Sequence, residues 1–126
     1  MGSESDSIKW MVTLCCSLYA TKGDTVRVER TLDWYDNICQ TAGINFGLCV
    51  VEDGSPQSFA KIKKKLIPKG YCQDVQYFKS KENLGKATQL SRLFPNIGTP
   101  FICMIDNDIV LPQGWLMDCL MKKDIQ

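Results

Sequence analysis

The sequence Phe101-Ile-Cys-Met-Ile-Asp-Asn-Asp108 carries the clearest indication of the fold, because five apolar residues run directly into a polar turn with two carboxylates. A short apolar run bounded by turn residues is typical of a buried strand in a parallel sheet. The same pattern occurs earlier, in Trp10-Met-Val-Thr-Leu-Cys-Cys-Ser-Leu18 and in Phe46-Gly-Leu-Cys-Val-Val51. We therefore predict three buried strands, each followed by polar residues.

Helical patterns fill the segments between these strands. Residues 28–42 place apolar side chains at spacings of three and four, and Ser55 followed by Pro56 suits the start of a second helix. Residues 74–79 alternate in polarity as a shorter strand, and Gly85 opens a further helix. The resulting β-α-β-α-β-α-β-α order predicts an α/β fold, with a Rossmann-like, mostly parallel sheet and helices on both faces.

Polar clusters recur near the ends of the predicted strands. Residues 17–21, 52–55 and 106–108 follow strands directly, and residues 83–86 open the helix after the shorter strand. Ligands of parallel α/β sheets bind outside the carboxyl ends of the strands. The sequence therefore predicts that these clusters meet at one edge of the sheet and form a binding site.

Asp106 and Asp108 are the candidate metal ligands. Two hard oxygen ligands this close together suit Mg²⁺ or Mn²⁺, which takes carboxylates together with ligand phosphates. The alternative is a solvated turn at a strand end, because Asp and Asn are common turn residues.

The clusters that contain Asp53 and Lys86 can each be interpreted either as part of a binding site or as a turn that only serves the fold. A carboxylate at Asp53 can accept a hydrogen bond from the imide N–H of a uracil or a similar base, although Asp-Gly-Ser-Pro is also a good helix-initiating turn. Lys86 can reach a phosphate or the base as a point charge, or can simply be a solvated lysine at a helix start. The lysine-rich run 61–69 is interpreted as a solvated helix face, because Ile62 and Leu66 interleave at helical spacing.

Composition excludes several classes of protein. A chain of 126 residues suits one domain, and a net charge of +1 gives no reason to expect nucleic-acid binding. The chain has no histidine, which excludes histidine zinc sites and a histidine general base. Seven cysteines, mostly within apolar runs and without a C-x-x-C pair, indicate reduced core residues in a reducing compartment.

The N-terminus and the hydropathy bear on location. Residues 1–7 are polar, lack a signal-peptide pattern and are predicted to form a flexible leader. No apolar run approaches the roughly 20 residues that a membrane span needs. We therefore predict a cytoplasmic protein without a membrane span.

Taken in order, these segments resemble the N-terminal half of family 2 glycosyltransferases, which have the GT-A fold. The resemblance extends from Trp10 to Leu120 and rests on the following motifs: Val51-Glu-Asp-Gly-Ser55, Glu82-Asn-Leu-Gly-Lys-Ala87, Ile105-Asp-Asn-Asp-Ile109 and Pro112-x-Gly-Trp-Leu116. No motif is decisive alone, but the four in this order are specific.

The resemblance implies that residues 8–126 form an incomplete GT-A domain that binds a nucleotide sugar, most often a UDP-sugar, with Mn²⁺ or Mg²⁺. Asp53 would contact the nucleobase, and Asp106 and Asp108 resemble the metal-binding D-x-D motif of the family. The nucleotide-binding residues that it implies are Ser17, Leu18, Tyr19, Glu52, Asp53, Lys86, Asp106 and Asn107.

The family's catalytic domains are usually much longer than this chain, and their other half supplies the acceptor site and the catalytic base. We therefore expect a truncated GT-A fold whose acceptor and catalytic base are unknown. Either the chain is a fragment of a longer protein or a completing partner chain supplies the other half, and apolar surface that this half normally covers favours a homo-oligomer. The alternative is a non-catalytic binding or assembly module that retains the fold.

Overall fold

The computed structural model describes residues 10–122, which form a four-stranded sheet between helices. The strands are β1 (Val12–Leu18), β2 (Phe46–Asp53), β3 (Cys72–Ser80) and β4 (Phe101–Met104). The helices are α1 (Thr25–Thr41), α2 (Ala60–Lys63), α3 (Lys86–Leu93) and α4 (Trp115–Lys122), and a short 3₁₀ helix covers Phe94–Asn96. The predicted leader, residues 1–7, lies outside the described residues.

All neighbouring strands are parallel, in the order β3-β2-β1-β4. The chain moves outward from β1 to β2 and β3, then crosses back to place β4 on the other side of β1. This reversal creates a crevice between the carboxyl ends of β1 and β4, which is where α/β sheets of this kind bind ligands. The predicted α/β fold with a parallel sheet is confirmed.

The two faces of the sheet have separate cores. On one face, Leu14 of β1 and Leu48 of β2 pack in a large cluster with buried residues of α1, α2 and α4, including Trp115. On the other face, Cys15 and Cys49 pack against Leu90 and Leu93 of α3. Alternate residues of β1 and β2 therefore serve opposite cores, which explains why both strands are apolar throughout. The predicted placement of helices on both faces is confirmed.

The fourth strand differs from its prediction. The apolar run Phe101–Ile105 predicts a buried strand, but β4 lies at an edge of the sheet. Ile102 is 41% exposed and Met104 is 63% exposed. The reason is that α3 packs against β1 and β2 and leaves this face of β4 uncovered.

The second predicted helix start is also wrong. The helix α2 begins at Ala60, and Phe59 occupies its N-cap position in place of Ser55. The Ser55 hydroxyl instead accepts a hydrogen bond from the Ala20 backbone N–H at 3.0 Å and lies 3.1 Å from the Ala20 carbonyl oxygen. Ser55 therefore joins the loop after β2 to the loop after β1.

The cysteines are free thiols, as predicted, and five of the seven are buried. Among residues 10–122, no helix combines the length and the apolar character that crossing a bilayer requires.

Candidate functional site

A cavity of about 480 Å³ opens at the carboxyl ends of β1 and β4. Six of the residues predicted from the sequence line it: Ser17, Tyr19, Lys86, Asp106, Asn107 and Asp108. The structure therefore brings together the polar residues after β1, the start of α3 and the turn after β4. Three of the four predicted clusters therefore contribute to the cavity, and residues 52–55 do not line it.

An ion pair crosses the cavity between the start of α3 and the turn after β4. The Lys86 ammonium donates to Asp106 Oδ1 at 2.7 Å, and both side chains are more than half exposed. The hydrogen bond to Asp106 raises the pKa of Lys86. Lys86 therefore stays charged at neutral pH and places a cation next to a candidate metal ligand.

Cys16, near this turn, is not a nucleophile. Burial raises the pKa of its thiol, and the negative charge of Asp106 raises it further. Only the thiolate is reactive, so Cys16 serves as a small apolar core residue.

The turn after β4 is fixed to α1 by side-chain amides. The Asn107 amide donates to Thr31 Oγ1 at 2.9 Å. Farther along the turn, the Leu111 N–H donates to Asn37 Oδ1 at 2.9 Å, and the Asn37 amide donates to the Leu111 carbonyl at 3.2 Å. Asn107 thus lines the cavity and also holds Asp106 and Asp108 in place through the backbone.

Asp53 does not line this cavity; its carboxylate holds the loop before α3. Oδ1 accepts hydrogen bonds from the Leu84 N–H and the Gln89 amide, both at 2.8 Å, and Oδ2 accepts one from the Gly85 N–H at 3.2 Å. The residue is 4% exposed. The backbone that leads into Lys86 is therefore anchored by Asp53.

Glu52 and Leu18 are also placed away from the cavity lining. Glu52 is 4% exposed and accepts a hydrogen bond from the Tyr77 hydroxyl at 2.6 Å. Burial and this carboxylate raise the pKa of Tyr77, which keeps the hydroxyl protonated as the donor. The Leu18 side chain is fully buried in the core shared with α1.

Two lining residues lie outside the predicted clusters, Asp24 and Arg27, whereas Thr21 belongs to the predicted cluster of residues 17–21. Asp24 caps α1 by accepting from the Arg27 N–H at 3.0 Å, and Arg27 Nε lies 3.5 Å from Asp24 Oδ2. The available signal was their position, because the first turn of the helix after β1 begins at the same edge as the strand ends. Arg27 adds a second cation to the cavity.

The charges of the cavity suit a ligand that carries both signs. Asp24, Asp106 and Asp108 are negative, whereas Arg27 and Lys86 are positive. Within the described residues, no group of three or more Cys, Asp or Glu forms a closed metal site. Two carboxylates fit Mg²⁺ or Mn²⁺ when water and phosphate oxygens supply the remaining ligands. The residues present therefore fit a metal–diphosphate group better than a metal alone.

Comparison with known proteins identifies one matching family, and the solved structures of similar fold include two of S. aureus TarS. The family described as Glycosyl transferase family 2 matches residues 27–124. The crystal structure of S. aureus TarS 1-349 is similar with a TM-score of 0.69 at 14% sequence identity, over 91% of this chain and 32% of that chain. The crystal structure of S. aureus TarS gives a TM-score of 0.64 at 15% identity, over 91% of this chain and 20% of that chain.

These structural similarities support the predicted GT-A fold. At 14% and 15% sequence identity, they establish the fold and not the function. The present chain spans about a third of the length of TarS 1-349. No curated protein matches the chain.

Proposed function

Because this chain belongs to glycosyl transferase family 2, we propose that its cavity binds a nucleoside diphosphate sugar, UDP-linked, together with Mg²⁺ or Mn²⁺. The observation that supports this proposal is the position of Asp106 and Asp108 beside Lys86 and Arg27 in one cavity between β1 and β4. Carboxylates for the metal and cations for the phosphates are both available there.

Each group of residues has a distinct role in this proposal. Asp106 and Asp108 hold the divalent ion, while Lys86 and Arg27 contact diphosphate oxygens. Tyr19, which is 38% exposed at the cavity, offers its ring to the base or the ribose, and Ser17 offers its hydroxyl.

The proposed reaction is transfer of the sugar to an acceptor hydroxyl. A bound divalent ion would neutralise charge on the departing diphosphate. Lys86 and Arg27 add positive charge on the same side. The reaction also needs a base that removes the proton of the acceptor hydroxyl. Among the described residues that line the cavity, no carboxylate is free for this role, because Asp106 and Asp108 are assigned to the metal and Asp24 caps α1.

We expect Asp108→Asn to remove most of the Mn²⁺-dependent affinity for UDP. The substitution keeps the side-chain volume but replaces an anionic oxygen that the metal requires, so the affinity should fall by about tenfold or more. Calorimetric titration of UDP in the presence of Mn²⁺ measures the change. Asp118→Asn, an exposed acidic residue on α4, is the matched control and should leave the affinity unchanged. An unaltered Mn²⁺ response in Asp108→Asn would assign this turn a structural role only.

A further inference from the structure

The lysine-rich segment, residues 61–69, concentrates positive charge on one surface. It contains five lysines, and no acidic residue occurs between Asp53 and Asp74. The whole chain has a net charge of only +1. The positive charge of this segment is therefore balanced elsewhere in the chain and not within the segment.

Two of the five lysines have a partner, one an aspartate and the other an aromatic ring, and the remaining three have no ion pair within the described residues. Lys69 pairs with Asp36, and the Lys63 ammonium lies 5.1 Å from the centre of the Tyr77 ring. Within the described residues, Lys61, Lys64 and Lys65 form no salt bridge, and all three are exposed.

An exposed isoleucine lies among these lysines. Ile62 and Leu66 are each 5% exposed and pack in the core, whereas Ile67 is 58% exposed. The backbone at Ile67 is held in place, because its carbonyl accepts a hydrogen bond from the Tyr35 hydroxyl. Nearby, the Tyr71 N–H donates to the Cys39 carbonyl at 2.9 Å. Ile67 is therefore presented to the exterior on a fixed backbone.

We propose that the lysine-rich segment docks the protein on an anionic lipid surface, with Ile67 inserted between head groups and Lys61, Lys64 and Lys65 against their negative charges. Basic residues near an anionic bilayer and an inserted apolar side chain both favour binding. A nucleic-acid backbone would attract the lysines equally but would offer no apolar phase to Ile67, so a lipid surface fits the combination better.

The position of the segment is compatible with a working site. Residue 69 bridges to Cys72, where β3 begins. The cavity described above lies at the carboxyl ends of the strands, which is the opposite edge of a parallel sheet. The end of the segment at Lys69 therefore lies away from the cavity, whereas Lys61 and Lys65 lie beside Thr25 and Glu29 at the start of α1, in a separate depression. The inference does not depend on the proposed function.

Sedimentation with lipid vesicles tests the proposal on the full chain. We expect binding to vesicles of phosphatidylcholine with phosphatidylserine, little binding to phosphatidylcholine alone, and a decrease in binding as salt rises. Lys64→Gln with Lys65→Gln should lower the partition coefficient about 30-fold, since each lysine near the surface contributes a factor of about five. The matched control is Lys79→Gln with Lys81→Gln, which removes the same charge from exposed positions at the end of β3. Equal losses in both double variants would overturn the proposal, because the attraction would then follow net charge alone.

A second pair of variants tests the apolar part. Ile67→Ser should lower vesicle binding about fivefold or more, whereas Val26→Ser, at a position of similar exposure (56%) on α1, should leave it unchanged. Unaltered vesicle binding by Ile67→Ser would contradict lipid docking. If duplex DNA also displaced the bound vesicles, the segment would be a general surface for polyanions.

Discussion

Asp53→Ala is expected to lower the free energy of unfolding by about 3–5 kcal/mol. The substitution removes a buried carboxylate that accepts hydrogen bonds from Leu84, Gly85 and Gln89. Two backbone N–H groups of a part-buried loop and the buried Gln89 amide would lose their acceptor. An unsatisfied buried donor costs free energy, and the loop would also lose its attachment to β2. Urea denaturation measures the change directly.

This expectation revises the one that the sequence suggests. Interpreted as a nucleobase contact, Asp53 could be replaced without a large effect on folding. In the structure the carboxylate supports the loop before Lys86, so stability and UDP affinity should fall together. Asp33→Ala, an exposed acidic residue on α1, is the control and should have little effect on either. A stable Asp53→Ala protein with lost UDP affinity would show that Asp53 acts on the ligand instead.

Gly54→Ala is expected to destabilise the protein by a similar amount, about 2–5 kcal/mol. Gly54 has a φ of +57°, and an added Cβ would lie 2.5 Å from backbone atoms of both Glu82 and Asn83. The two chain segments meet here through the Gly54 N–H, which donates to the Ser80 carbonyl at 3.1 Å. Relief of the clash would move the backbone that leads to Lys86, so UDP affinity should fall as well.

A second glycine separates the two causes of the lost stability, which are the positive φ and the steric clash with residues 82–83. Gly23 has a similar left-handed φ of +89°, but no atom lies within 4 Å of its hypothetical Cβ. Gly23→Ala should therefore cost only the conformational part, about 1–2 kcal/mol. Thermal denaturation of both variants gives the comparison. If Gly54→Ala were no less stable than Gly23→Ala, the close approach of residues 82–83 would not matter to the fold.

The sequence predicts the sheet well because apolar runs separated by helical patterns have few arrangements that bury them. It also predicts that Asp106 and Lys86 lie at one edge, since strand ends and helix starts share that edge in a parallel sheet. The ion pair between these two side chains is not predictable from the sequence. The residues are 20 positions apart in the chain, and the contact depends on how each side chain is oriented.

The errors have physical causes that a sequence pattern does not contain. The apolar run of β4 indicates a strand but not which neighbours cover it, so the exposure of Ile102 and Met104 could not be anticipated. Glu52 and Asp53 look like loop residues, yet they are the last two residues of β2. For Arg27, the order of the elements does place the first turn of α1 at the edge of the strand ends, but it does not reveal which side chains of that turn face the cavity.

Calorimetric titration of UDP into the unmodified protein, once with Mn²⁺ and once with a chelator, tests directly whether this cavity binds a nucleotide through a metal ion. If Asp106 and Asp108 hold a metal–diphosphate group, UDP should bind about tenfold or more tightly with Mn²⁺ than without it. Equal affinity under both conditions would contradict the metal role of this pair and, with it, the proposed mode of nucleotide binding.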